Sequence, residues 1–179
     1  GSSIKLSYNR TRQYIQMLSN TAAISPTDIW KLSDTYIKPQ MGDQYSIGFY
    51  KNFNGNSIET SVETYYKTME NTIDYKGGAQ LLLNHHIETD VINAEGKAYG
   101  VELMVKKANG KANGWVTYTY SRSLLKAKSP FISETVNGGN YYPSNYDKPH
   151  SFNFVGNYKF SHRYSTSLNL TYSTGRPIT

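Results

Sequence analysis

Residues 58–67 read Ile-Glu-Thr-Ser-Val-Glu-Thr-Tyr-Tyr-Lys, and this stretch decides the fold class. Ile58, Val62 and Tyr66 belong to one alternating set of side chains, whereas Glu59 and Glu63 belong to the other. A period of two residues places the two sets on opposite faces of a β-strand. The stretch therefore predicts a long strand with one apolar and one polar face.

Other parts of the chain show the same alternation, at residues 4–9, 44–49, 98–105, 116–121, 152–159 and 164–173. The aromatic composition agrees, because 17 Tyr residues accompany 6 Phe and 2 Trp, and aromatic side chains are enriched in strands. We therefore predict an all-β chain with about seven strands.

The links between these strands alternate in length. Short links lie at residues 54–56, 109–114 and 161–163, and long links lie at 14–42, 70–96 and 126–149. The first two short links contain Asn-Gly, which tolerates the positive φ angles of tight hairpin turns. The pattern predicts an antiparallel up-and-down meander with all of its short turns at one end.

Regularly spaced long links favour an outer-membrane β-barrel over a compact soluble domain. Structureless links longer than about 12 to 15 residues are uncommon in compact domains. Outer-membrane barrels combine short periplasmic turns with long extracellular loops. A mean hydropathy of -0.62 is compatible with such a barrel, because only alternate residues of each strand contact lipid.

Composition also argues against several other functions. The chain has no Cys, so it contains no disulfide, thiolate metal site or Cys nucleophile. The net charge of +6 comes from scattered Lys and Arg residues without a basic helix or an aromatic RNA-binding motif, and we predict no nucleic-acid partner. No nucleophile elbow or other catalytic motif is present, so we predict no enzyme, catalytic residue or cofactor.

Four stretches resemble barrel segments of TonB-dependent receptors, and the last two resemble the later barrel of the forms common in Bacteroidetes. They are Pro-Gln-Met-Gly-Asp-Gln-Tyr-Ser-Ile-Gly at 39–48, Gly-Lys-Ala-Tyr-Gly-Val-Glu-Leu at 96–103, Tyr-Asp-Lys-Pro-His at 146–150 and Ser-Thr-Gly-Arg-Pro at 173–177. The resemblance implies a protein of the cell outer membrane that contacts lipid. It also implies import of a nutrient such as a siderophore, cobalamin, glycan or peptide, with energy supplied through TonB.

The extent of the chain is a separate expectation. Gly1-Ser2-Ser3 carries no initiator Met, and no signal peptide follows it. We expect residues 1–179 to be a partial β-barrel domain, with the plug and the remaining strands outside this chain.

The long links contain the side chains that we predict contact ligand, because aromatic rings at an outer rim can stack on sugars or other rings. They are Trp30, His85, His86, Tyr141, Tyr142 and Tyr146. The adjacent His85 and His86 lack both the i, i+4 helical spacing and the Cys partners of a defined metal site, so we predict no bound metal. Pro26 at a first helical position also predicts a helical turn over 26–32.

Face chemistry assigns Val62, Leu103 and Leu168 to lipid, and Glu59, Glu63 and Glu102 to the lumen. Two alternatives stay open. A soluble secreted or periplasmic β-sandwich that binds carbohydrate would also show one polar face per sheet. A purely structural barrel segment or surface adhesin would bind no ligand and would not depend on TonB.

Overall fold

The structure is a computed structural model and describes residues 1–18, 29–76, 90–129 and 136–177. Its strands are β1 (Ser2–Gln13), β2 (Ile15–Leu18), β3 (Ile29–Leu32), β4 (Gln40–Phe53), β5 (Ile58–Tyr75), β6 (Val91–Lys107), β7 (Ala112–Ala127), β8 (Tyr142–Pro143), β9 (His150–Lys159) and β10 (Ser165–Ser173).

One sheet contains seven strands in the order β1-β4-β5-β6-β7-β9-β10, and the short strand β8 pairs with β7 beside this path. Every strand pair in the described ranges is antiparallel. Strands that follow one another across a short turn are also neighbours in the sheet. The predicted all-β antiparallel meander is therefore confirmed.

The short connections close with the turn chemistry that their sequence predicts. At residues 54–57 the φ angles of Asn54, Gly55 and Asn56 are 51°, 62° and 68°, and the Ser57 amide donates to the Asn54 carbonyl at 3.2 Å. Gly110 takes φ 104° in the next turn. Because strands alternate in direction, all the short turns lie at one end of the sheet, called here the short-turn rim. The opposite end is the long-link rim.

The predicted bounds of the second long link are wrong, because the strands on both sides continue into it. β5 reaches Tyr75 and β6 begins at Val91, well inside the predicted link 70–96. The pairing of β5 with β6 continues through a β-bulge. The register shifts between Met69 and Thr72, and Asn71 takes a φ of 56°. The bulge accommodates Asn71 within a continuous strand.

The first long link contains a β-hairpin, in which β2 pairs with β3 from Ile15–Leu32 to Leu18–Ile29. The predicted helical turn over 26–32 is thus wrong for residues 29–32, because cross-strand pairing holds them extended. Residues 26–28 lie outside the described part of the chain. Among the described residues no helix is long and apolar enough to cross a membrane.

Burial is concentrated near the long-link rim. Leu18 of the hairpin and Ile37 are almost fully buried. They pack together against Ile73 of β5 and Val91 of β6, which are partly buried. Ile92, Ala94 and Ala127 are also buried. The body of the sheet is instead open on both faces, so the described chain buries most of its core where the hairpin meets the sheet.

Candidate ligand-binding rim

The sheet has two faces of opposite chemistry. The apolar face is the face that contains one cross-strand row through all seven strands. This row is Ile4, Phe49, Val62, Leu103, Tyr118, Phe152 and Tyr172. The adjacent row belongs to the polar face and runs as Lys5, Gly48, Glu63, Glu102, Thr119, Ser151 and Ser173. Val62 is 45% exposed and Leu103 is 41% exposed, so the apolar face lies uncovered.

Toward the long-link rim the apolar face ends in a row of tyrosines. Tyr8, Tyr45, Tyr66 and Tyr99 are directly opposite one another on four neighbouring strands. The next row outward carries Arg10, Asp43, Thr68 and Lys97, and the Arg10 guanidinium donates to the Asp43 carboxylate at 2.7 Å. From the middle of the apolar face toward the rim, the side chains are first apolar, then tyrosines and then charged. A transmembrane barrel shows the same order where its lipid-facing wall meets water.

The polar face carries acidic side chains on both β5 and β6. Glu63 and Glu102 are directly opposed on β5 and β6, and both are exposed. Glu59 lies on the same face and forms an ion pair with Lys106, with 3.1 Å between Glu59 Oε2 and Lys106 Nζ. Such a face is suited to a wet lumen and not to a dry core, since each carboxylate retains contact with water.

The β2–β3 hairpin is fastened to the rim by a turn centred on Asp34. The Asp34 carboxylate accepts hydrogen bonds from the Ile37 amide at 2.7 Å and the Tyr36 amide at 2.8 Å. Lys31 forms an ion pair with the same side chain at 3.6 Å. The two amide donors, Ile37 first, hold the pKa of Asp34 below its ordinary value.

Acid should loosen this turn. Because the pKa of Asp34 is lower in the folded chain, its stabilising effect is complete above the unfolded pKa of about 4 and disappears as pH falls through the folded value. A bimane label on Thr35→Cys of the full-length receptor should report greater mobility below about pH 4. Asp34→Asn retains a carbonyl acceptor and should remove the pH response while retaining the turn. An unchanged acid transition in Asp34→Asn would assign it to another group.

The bulge in β5 decides which way Asp74 points. One extra residue between Met69 and Thr72 reverses the facing of the residues beyond it, so Asp74 lies opposite Ile92 on the polar face. There Asp74 accepts a hydrogen bond from the Tyr142 hydroxyl. Burial, followed by this bond, raises the pKa of Tyr142. The bond joins the third long link to the extended end of β5.

The third long link is also fastened along β7. Asp147 is only 2% exposed, and its carboxylate accepts from the Arg122 guanidinium at 3.0 Å and from the Ser123 amide at 2.7 Å. The Ser144 hydroxyl donates to the Ser123 hydroxyl at 2.9 Å. Residues 142–149 therefore form a fixed edge of the rim, not a free loop.

The structure separates the predicted ligand residues into different surroundings. Tyr142 pairs with Leu125 on the polar face. Tyr141 lies under the Lys97 ammonium, 3.8 Å from its ring centroid, with Lys126 at 5.9 Å. Lys97 shares the face of Tyr99, so Tyr141 is on the apolar-face side. Tyr146 is 61% exposed, and the Arg176 guanidinium lies 5.8 Å from its ring.

The remaining predicted residues lie elsewhere. Trp30 is 61% exposed on the β2–β3 hairpin. His85 and His86 are outside the described residues. Within the described ranges no group of three or more His, Asp or Glu side chains is arranged to hold a metal ion.

Sequence reasoning missed Asp74, Arg122 and Asp147, which position the rim. Asp147 lies in the Tyr-Asp-Lys-Pro-His stretch that carries the family resemblance, and this was its only sequence signal. Asp74 lacked a signal, because its facing depends on a single bulged residue.

Taken together, the seven-strand meander, its opposed faces and its tyrosine row define the wall of a transmembrane β-barrel. The family model described as "TonB dependent receptor-like, beta-barrel" matches residues 3–178, and the chain belongs to this family. No curated protein and no solved structure matches the chain. The family consists of outer-membrane transporters and not of enzymes, and it implies TonB and nutrient ligands in general.

Proposed function

We propose that the chain forms part of the wall and the extracellular rim of a receptor that binds a nutrient and imports it with energy supplied through TonB. The observation that carries the proposal is the register of the sheet. It leaves an uncovered apolar face ending in tyrosines, and it gathers the long links at the single rim beyond those tyrosines. In this arrangement the apolar face contacts lipid, the polar face lines the lumen and the long-link rim is extracellular.

The ligand contacts in this proposal come from the long-link rim. Tyr142 faces the lumen side, Trp30 is exposed on the first long link and Tyr146 is exposed on the third. We also propose His85 and His86 as ligand contacts, because their place in the sequence lies in the second long link. Tyr141 contributes less, because two lysines on the apolar-face side surround its ring.

The β-sandwich alternative is not favoured by the described chain. A soluble sandwich covers the apolar face of each sheet with a second sheet. Here Ile47, Phe49, Val62 and Leu168 are all at least 44% exposed, and the second described sheet is a two-stranded hairpin at the rim. The resemblance of 146–150 and 173–177 further supports a receptor of the type common in Bacteroidetes.

Uptake measurements test the proposed function. Cells that carry or lack the full-length receptor are given a labelled ferric siderophore, cobalamin, an oligosaccharide or an oligopeptide. We expect one class to accumulate only in cells that have both the receptor and TonB. Uptake of every class at equal rates with and without the receptor would contradict the proposal, and receptor-dependent uptake that persists without TonB would contradict the energy source.

A further inference from the structure

A cleft at the long-link rim lies between the base of the β2–β3 hairpin and the sheet. Tyr14, Ile15 and Leu32 line its hairpin side, and Gly42 and Lys67 belong to its sheet side. Both Gly42 and Lys67 are on the polar face, because Gly42 pairs with Thr11 and Lys67 pairs with Gln44 in that register. The cleft therefore opens toward the side that the proposed function makes the lumen.

The charge of the cleft is one-sided. Among the described residues that line it, none is acidic and Lys67 is the one charged residue on the polar face, because Arg12 pairs with Met41 and shares the apolar-face side with Arg10. Neither cation takes part in the ion pairs of the described chain. Lys67 is half-buried, and a partly enclosed cation attracts an anion more strongly than one in open water. The cleft is thus complementary to a negative group.

The absence of a side chain at Gly42 leaves room beside Lys67. A Cβ atom at position 42 would lie 3.3 Å from Lys67 Cε and 3.2 Å from Thr11 Oγ1. Both distances are tighter than ordinary van der Waals contact, so a larger residue would occupy the floor of the cleft and displace the lysine stem.

The hairpin side is apolar and solvent-facing. Ile15 and Leu32 form a cross-strand pair, and they are 44% and 69% exposed. Trp30 lies two residues before Leu32 on the same hairpin face, and it extends this apolar wall by about 6.6 Å. The opposite hairpin face buries Gln16 and Leu18, so the hairpin presents its apolar side outward although a polar face would cost less there.

We propose that this cleft binds the acidic end of the imported ligand, a carboxylate or phosphate group joined to an apolar or ring-containing body. Lys67 donates to the acidic group, and Ile15 and Leu32 contact the apolar body. The inference rests on the proposed function, because that function makes the cleft part of the path to the lumen. It adds the class of ligand and two recognition elements, Lys67 and the Ile15–Leu32 pair.

The test uses three dansylated tetrapeptides and the full-length receptor in lipid nanodiscs. Each peptide has an amidated C-terminus, which removes the terminal carboxylate, and two leucines followed by two glutamates, two phosphoserines or two glutamines. We expect at least one acidic probe to bind about tenfold or more tightly than the glutamine probe, as a charge-assisted hydrogen bond would provide. The tighter of the two acidic probes identifies the preferred anion.

Variants locate the binding. Lys67→Gln should weaken the acidic probes to the level of the glutamine probe, and Lys111→Gln, which removes a cation at the short-turn rim, should change nothing. Gly42→Leu should weaken all three probes by filling the cleft. Heat-modifiable migration in gels verifies that each variant still assembles a barrel. Equal binding of acidic and neutral probes, or full acidic-probe binding by Lys67→Gln, would overturn the inference. TonB-dependent uptake is measured separately. If the cleft does not bind the acidic probes, uptake that depends on the receptor and TonB still supports the proposed function.

Discussion

Val62→Arg should destabilise the full-length barrel by about 2 to 4 kcal/mol, the cost of a cation near the midplane on the lipid side of a barrel. Val62 lies four residues from Tyr66, which is about 13 Å along a strand. Half of an apolar band about 25 Å tall is a similar distance, so Val62 lies near the middle of the band when the tyrosine row marks its edge. The measurement is a urea refolding titration in lipid vesicles.

Two variants of the same strand serve as controls on the polar face. Glu59→Ala loses an ion pair with Lys106 whose side chains are 35% and 44% exposed, and it should cost only about 0.2 to 1 kcal/mol. Glu63→Arg introduces the same side chain as Val62→Arg, but it replaces the like-charge pair with Glu102 by an unlike pair and should be close to neutral. Equal destabilisation by Val62→Arg and Glu63→Arg would show that the faces are misassigned.

Removal of the β2–β3 hairpin should reduce ligand uptake by about tenfold or more, equivalent to at least about 1.4 kcal/mol of binding free energy, and should leave the barrel assembled. The Ser33 amide donates to the Tyr14 carbonyl at 2.7 Å, so residues 15–32 can be replaced by two glycines without moving the strands. Uptake falls because the deletion removes Trp30 and the apolar wall of the cleft. Assembly persists because β1 and β4 still pair along their full length.

The matched control for this deletion retains the hairpin and changes only its exposed side chains. Trp30→Ser combined with Leu32→Ser should reduce uptake less than the deletion while the buried Leu18–Ile37 contact stays in place. Wild-type uptake in the deletion variant would mean that the first long link has no part in capturing ligand.

The sequence was sufficient for the meander but not for the rim. Alternation in residues 58–67 predicts both faces of β5, and the structure places Val62 and Glu63 on opposite faces as expected. Alternating link lengths likewise predict which strands are joined by tight turns. These signals are local and repeat along the chain, so they survive without knowledge of tertiary contacts.

The rim depends on contacts that a period of two does not encode. The bulge at Asn71 turns Asp74 toward Tyr142, and one unpaired residue is sufficient to reverse a face. Strands β2 and β3 have four residues each and are held by packing of Leu18 against Ile37, which lies outside both. Tyr141 and Tyr142 were predicted together, yet neighbours in an extended segment point to opposite faces, and only Tyr142 lies on the polar face.

Thiol labelling on intact cells tests the sidedness of the barrel wall most directly. The chain has no Cys, so single cysteines can be placed at Thr35 and Asn140 on the long links and at Lys111 and His162 on the short turns, all four exposed. In a full-length receptor without other cysteines, an impermeant maleimide should label Thr35→Cys and Asn140→Cys on intact cells. Lys111→Cys and His162→Cys should react only after the outer membrane is permeabilised. Labelling of the short turns and protection of the long links on intact cells would contradict the assignment of the ligand-binding rim.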